Sequence, residues 1–194
     1  CIIDSMTYPL LYSLRHCPYA MRARMALLMA RKVVSLRAIV TKNKPSEMLA
    51  ISKKGTVPIL LLSDGTIIDE SLDIMIWALK DNDPDDLLYS HRPGMYLEML
   101  DFINDCDQGF RTSLSAYKYN KRYHLPDKIK LRTQCEVYIQ SLESILEKQA
   151  YMMGDKLSLV DLAILPFIRQ FANVDKKRFR ESSYPCLSLW LATL

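Results

Sequence analysis

A cysteine followed by proline and an aromatic residue, Cys17-Pro18-Tyr19, stands where an apolar run ending at Ser13 gives way, through a short polar link, to a helical pattern. That puts a thiol at a helix N-terminus. There the positive end of the helix dipole and the unpaired backbone N–H groups favour a thiolate, and can bring a cysteine from its free value of ~8.5 into the range ~3.5–7.5. Cys17 is therefore the first candidate nucleophile. A half-buried cysteine that happens to precede a proline would look the same over this stretch alone, so the rest of the chain decides between the two readings.

Composition sets the outer limits. With 194 residues, 49% hydrophobic and 25% charged, the chain reads as soluble and globular, in one compact unit or two small domains. No apolar run approaches the ~20 residues of a membrane-spanning helix, so no membrane partner is expected. Five cysteines, at 1, 17, 106, 135 and 186, are odd in number, scattered and without a C-x-x-C pair. They form neither a disulfide framework nor a metal site, and free thiols point to a reducing, cytoplasmic setting. Because the chain opens on Cys1 rather than methionine, residues upstream of it are expected. The net charge of +4 is too small to argue for nucleic acid, but it is unevenly spread: residues 1–80 carry eleven Lys/Arg against six Asp/Glu (+5), residues 81–194 fifteen against sixteen (−1). A cationic first half favours a small anionic ligand there, although a solvated basic surface gives the same balance. Lys176-Lys177-Arg178 reads as solvated charge near a helix end.

The elements that must position Cys17 follow from periodicity. Residues 8–13 read as a strand and 18–31 as a helix, with Met21, Met25, Leu28 and Met29 as its core stripe. Val33 to Val40 reads as a second strand, and Pro45 as the opening of a short helix through Ile51. Two apolar runs around Ser63-Asp64-Gly65-Thr66 make a β-hairpin, with Pro58 at the entrance of its first strand. Glu70-Ser71 then leads into a helix through Leu79, with Ser71 as its cap. This order suits a small mixed sheet covered by helices over residues 1–80. The acidic, proline-containing stretch from Asp81 opens a linker over 81–91, and residues 92–194 read as all-helical, with segments at 93–109, 111–122, 127–149, 158–173 and 184–193. Ser158 and Asp161 form a capping box, which makes Asp161 structural, and Pro166 is expected to kink its helix or cost it a hydrogen bond.

Four motifs then stand in register: Cys17-Pro18-Tyr19, Lys42-Asn43-Lys44-Pro45, Val57-Pro58 and Glu70-Ser71, with Pro58 41 positions after Cys17, 14 after Lys44 and 12 before Glu70. In this the chain resembles the cytosolic glutathione transferases, and within them the omega class and its bacterial relatives. Gly154 to Asp161 is similar to the capping motif of the family's helical domain. The resemblance implies a thioredoxin-like, glutathione-binding α/β domain with Pro58 cis, an all-helical second domain and a homodimer. It further implies glutathione as cosubstrate. Val57 would pair its backbone with the cysteinyl part, Glu70 would bind the γ-glutamyl ammonium, and Ser71 its carboxylate. Lys44 would meet the glycyl carboxylate, and Tyr19 and Pro58 would also belong to the glutathione-binding set. Taken singly, each has a plainer role: helix capping for Glu70 and Ser71, solvation for Lys44, a strand entrance for Val57-Pro58.

A cysteine at this position implies thiol transfer through a mixed disulfide with glutathione. Position 20 is Ala, so no local thiol resolves the adduct and a second glutathione must. Tyr12 and Ser13 keep open the alternative of conjugating a small electrophile, and His16 is a minor candidate to modulate Cys17. A third possibility is a non-catalytic binding module on the same fold, as in stringent-starvation-type proteins. The helical half is shorter than in omega-class proteins, so the wall around the second substrate is expected to be built differently. Tyr96, Phe102, Phe110, Tyr117 and Tyr119 are candidates to line it, with core packing the plainer role for most.

Overall fold

The computed structural model describes residues 8–120 and 127–194. Cys1 and the last two residues of the helix expected at 111–122 lie outside the described residues. The chain divides into two compact units between Leu87 and Leu88.

The first unit is built on a four-stranded sheet in the order β2-β1-β3-β4. Strand β1 (Leu10–Ser13) lies inside it because its apolar run is buried, with Leu11 and Tyr12 fully enclosed. It pairs parallel with β2 (Ser35–Ala38) and antiparallel with β3 (Ile59–Leu61), which forms a hairpin with β4 (Ile67–Ile68). The hairpin turn is the expected one: Gly65 takes φ 88°, and Asp64 Oδ1 accepts the Thr66 N–H at 2.9 Å. Tyr12, Ile39, Met48 and Ile59 form a buried cluster on the sheet.

The second strand is shorter than Val33–Val40, and all four of its residues are exposed. Val33 and Val40 have strand propensity, but β2 is an edge strand with one neighbour, and its pairing stops at Ala38. The core stripe of helix α1 (Pro18–Met29) is also a different one. Ala20, Arg22, Ala23, Ala26 and Leu27 are buried, whereas Met21, Met25 and Met29 are half-buried and Leu28 is 76% exposed. Helix axes approach to a distance set by the side chains between them, and the small alanines let α1 pack closely on α3 (Ser71–Asp81). Asn82 Nδ2 donates to Ala30 O at 2.9 Å, and Lys32 pairs with Asp81, tying the ends of α1 and α3 together. Between the strands, α2 (Ser46–Ile51) starts after Pro45 as expected and buries Met48.

The second unit is helical among its described residues. Helix α4 (Met95–Asp105) runs through a π-helical turn (Cys106–Phe110) into α5 (Arg111–Tyr119), although the sequence pattern predicts two separate segments. Helix α6 (Lys128–Leu146) is opened by Asp127, whose side chain accepts from Ile129 N and Lys130 N. Helix α7 (Leu159–Val174) is the central element, with twelve buried residues, and it runs on through Pro166. Short α8 (Lys176–Arg180), capped by Asp175, holds the exposed cationic run, and α9 (Pro185–Thr193) ends the chain.

Asp161 explains much of this unit's order. Its carboxylate accepts from Ser158 N and Ser158 Oγ (3.0 and 2.6 Å), Met152 N (3.0 Å) and Trp190 Nε1 (2.8 Å), so the capping box is joined to α9. Burial pushes its carboxyl up, and the donors around it pull the other way. Glu143 of α6 caps α9 from outside by accepting from Cys186 N and Leu187 N at 3.0 and 2.8 Å. Of the aromatic residues considered for a substrate wall, Phe110 and Tyr117 belong to this unit's core, packed around Phe171, while Tyr96 and Phe102 are half-buried and Tyr119 is exposed.

Candidate active site

Cys17 is the N-cap residue of α1, in extended conformation (φ −76°, ψ 121°). Pro18 follows at the first helical position, where its fixed φ suits the helix and no N–H is wasted. The loop before it closes on itself, with Cys17 N donating to Leu14 O at 3.2 Å. Among the described residues no side chain caps this helix start. The sulfur is half-buried, and the thiol reaches the carbonyl of Val57 at 3.7 Å. The Val57-Pro58 peptide bond is cis, and Pro58 is buried at the entrance of β3. The expectation gave Val57's carbonyl to a ligand; in the structure it accepts from Cys17.

The N-terminus of α3 is organised differently from the sequence reading. Glu70 is the N-cap, without a side-chain cap bond, and Ser71 is the first helical residue rather than the cap. Ser71 is buried because its Oγ accepts from Arg22 Nε at 2.9 Å, and the Arg22 guanidinium carbon lies 5.2 Å from the Tyr19 ring centroid. Tyr19, Arg22 and Ser71 thus form one chain of contacts from the Cys17 end of α1 to the start of α3. Glu70 is exposed and pairs with Lys54, which also lies 3.8 Å from Asp69 and whose ammonium is pushed up by the Glu70 hydrogen bond. Lys44 is half-buried; a Cβ on Gly55 would meet its Nζ at 3.9 Å, and Gly55 itself sits at φ 56°. Among the described residues Lys44 has no hydrogen-bond or ion-pair partner. It is an ammonium available to an anion.

The two hydroxyls considered for conjugation are both engaged or enclosed. Tyr12 is fully buried, and burial pushes its phenol up against the nearby Arg37. Ser13 is buried, and its Oγ accepts from Arg24 at 2.5 Å. His16 is exposed. No three His, Cys, Asp or Glu side chains converge as metal ligands among the described residues, and no described helix is long and apolar enough to cross a membrane.

Residues 11–85 match the family model of the glutathione S-transferase N-terminal domain, and residues 110–194 that of the glutathione S-transferase C-terminal domain. The chain belongs to the glutathione S-transferase family. It is 26% identical to glutathione S-transferase omega-1 of Mus musculus, over 94% of this chain and 75% of that protein. It is 28% identical to glutathione S-transferase omega-2 of Rattus norvegicus, over 95% and 73% respectively. The fold is similar to that of a glutathione transferase family member from Pseudomonas fluorescens solved with two glutathione bound (TM-score 0.83, 16% identity, 96% of this chain and 87% of that one). A glutathione transferase from Phanerochaete chrysosporium in complex with oxidized glutathione gives a TM-score of 0.81 at 20% identity, over 96% and 90%. As a glutathione S-transferase, the chain thus has the family's thioredoxin-like α/β unit and helical unit.

Three charged residues of this transferase's candidate site escaped the sequence reading: Arg22, Arg24 and Lys54. Arg22 carried a signal, since it shares a helix face with Ala20, Ala23 and Ala26, and an arginine on a buried alanine face needs an internal partner. Lys54 and Arg24 carried none, because their partners are remote in sequence or are backbone atoms.

Proposed function

We propose that this glutathione S-transferase is an omega-like thiol transferase whose single cysteine, Cys17, carries the glutathionyl group. The observation that carries this reading is the meeting of the Cys17 thiol, at a helix start no side chain caps, with the Val57 carbonyl beside Pro58. Residues 1–80 are its glutathione-binding domain, followed by a linker over 81–91 and a helical domain over 92–194. Glutathione lies along the Val57 backbone with its glycyl carboxylate on Lys44. Glu70 exchanges Lys54 for the γ-glutamyl ammonium, and the Ser71 hydroxyl, whose oxygen already accepts from Arg22, donates its proton to the γ-glutamyl carboxylate. Tyr19 flanks the sulfur.

In the first step the Cys17 thiolate attacks the glutathione sulfur of a mixed disulfide. The Cys17–glutathione disulfide forms, the old S–S bond breaks, and the second thiol leaves as a thiolate that takes a proton from water. With Ala20 where a dithiol enzyme has its second cysteine, a second glutathione attacks the adduct. It leaves as oxidised glutathione and returns Cys17 as thiolate. Net, one mixed disulfide and one glutathione give one free thiol and one oxidised glutathione. Small mixed disulfides, and oxidants such as dehydroascorbate, are the substrate class. The protein works as a homodimer in the cytoplasm, and light scattering at twice the chain mass tests that part.

The test is turnover of a small glutathione mixed disulfide by wild type and Cys17→Ala. Loss of activity by at least about a thousandfold is expected when the nucleophile itself is removed. Unchanged turnover in the variant, or conjugation of an aryl halide that survives it, favours the conjugating alternative. A protein that neither turns over nor shifts its melting temperature with glutathione is a binding module instead.

A further inference from the structure

Arg24 lies on α1, seven residues after Cys17, yet its guanidinium turns back to the segment before the cysteine. It donates to Ser13 Oγ at 2.5 Å, to Leu14 O at 3.3 Å and to Arg15 O at 3.0 Å. Three consecutive residues at the end of β1 are therefore held by one side chain, and Cys17 N in turn bonds Leu14 O. All three acceptors are neutral. Among the described residues no carboxylate pairs with Arg24, so its charge is not cancelled locally, and Leu14 O accepts from both Arg24 and Cys17 N. Burial pushes the guanidinium down from its ordinary value. Among the described residues, Lys44 is a further cation of the candidate site, without a partner, and the remaining charged groups are engaged or exposed. Arg22 is bonded to Ser71, Lys54 is paired with Glu70, and His16 and Arg15 are exposed.

We infer that Arg24 is a positioning residue for the thiol: it staples Ser13, Leu14 and Arg15 so that the loop presents Cys17 at the start of α1, and it supplies the uncancelled positive charge that supports negative charge on the attacking sulfur. The inference rests on the reading of Cys17 as nucleophile. The planar guanidinium matters to it, since a single ammonium cannot reach a hydroxyl and two carbonyls at once. Lysine in its place keeps charge and loses the staple, and glutamine keeps a donor and loses charge.

The experiment measures the rate of alkylation of Cys17 by iodoacetamide between pH 5 and 10, by peptide mass spectrometry, in wild type, Arg24→Lys and Arg24→Gln. Arg24→Gln is expected to react about tenfold more slowly than wild type at pH 6–7, where a lost positive charge beside the sulfur is felt most, and to catch up by pH 10. Arg24→Lys is expected to keep a rate within about threefold of wild type at pH 6–7, because the charge is retained. In the same variant mixed-disulfide turnover should fall about tenfold or more, because the loop is no longer fixed. Superimposable pH profiles for wild type and Arg24→Gln overturn the electrostatic role, and full turnover in Arg24→Lys overturns the staple. Should Arg24→Gln fail to fold, Arg24→Lys decides alone: a rate at pH 6–7 that falls tenfold although the charge remains overturns the inference. Failure of the nucleophile reading looks different, since wild type itself would then turn over mixed disulfides no faster than Cys17→Ala.

Discussion

The starts of α1 and α7 solve the same physical problem in opposite ways. Every helix begins with backbone N–H groups that lack partners in the helix. At α7 they are closed off: Ser158 Oγ accepts from Asp161 N, Asp161 accepts from Ser158 in return, and the whole arrangement is buried and tied to Met152 and Trp190. At α1 a cysteine holds the capping position, no side chain caps it, and the sulfur remains half-buried beside Val57. A serine, the preferred residue for capping, stands at the closed start, and a thiol stands at the open one. Between these two starts, one carries its own buried side-chain acceptor and the other carries a thiol in that place.

The largest effect is expected from removing Asp161, the hub of the closed start. Asp161→Ala is expected to lower stability by about 3–5 kcal/mol in denaturant unfolding, since the N–H groups of Met152, Ser158 and Trp190 each lose an acceptor at about 1–3 kcal/mol apiece. Cys17 of the fraction that remains folded should react as in wild type.

A second contrast is between thiols. Burial pushes Cys135 up to about 12, whereas Cys17 is accessible from the helix start. In the folded protein at pH 8 iodoacetamide is expected to alkylate Cys17 and leave Cys135 untouched, as peptide mass spectrometry would show. The raised value also carries a sign: above about pH 9 the unfolded chain gives up a proton that folded Cys135 keeps, so stability falls as pH rises from about 9 toward 12. The stability gap between wild type and Cys135→Ala should narrow over that range.

The smallest expected effect comes from Cys17 itself. Cys17→Ser puts a capping hydroxyl at the open start, in a backbone conformation that already suits it. It is expected to be more stable than Cys17→Ala by about 0.5–1 kcal/mol, in the direction opposite to Ser158→Ala, which should cost about 1 kcal/mol. Both Cys17 variants should be inactive in thiol transfer.

The two starts also differ in how legible they were. The Ser158–Asp161 box could be read from residues three apart, because capping is local. The helix start at Cys17-Pro18 and the hairpin turn at Gly65 were legible for the same reason. What could not be read was chosen by packing between elements. Methionines are more apolar than alanines, so periodicity points to Met21, Met25, Leu28 and Met29 as core, yet close approach of α1 to α3 selects Ala20, Ala23 and Ala26. The engagement of Ser71 by Arg22, of Glu70 by Lys54 and of α9 by Glu143 joins residues 16 to 49 positions apart and leaves no periodic trace. Arg24 is the extreme case, since two of its three acceptors are main-chain carbonyls that any sequence would supply.

The central claim is that the open helix start makes Cys17 the carrier of glutathione, and it is tested by intact-protein mass spectrometry after incubation with oxidised glutathione. The expected spectrum shows one glutathionyl group on wild type, reversed by reduced glutathione, and none on Cys17→Ala. An unmodified wild type, or an adduct that persists in Cys17→Ala, contradicts it.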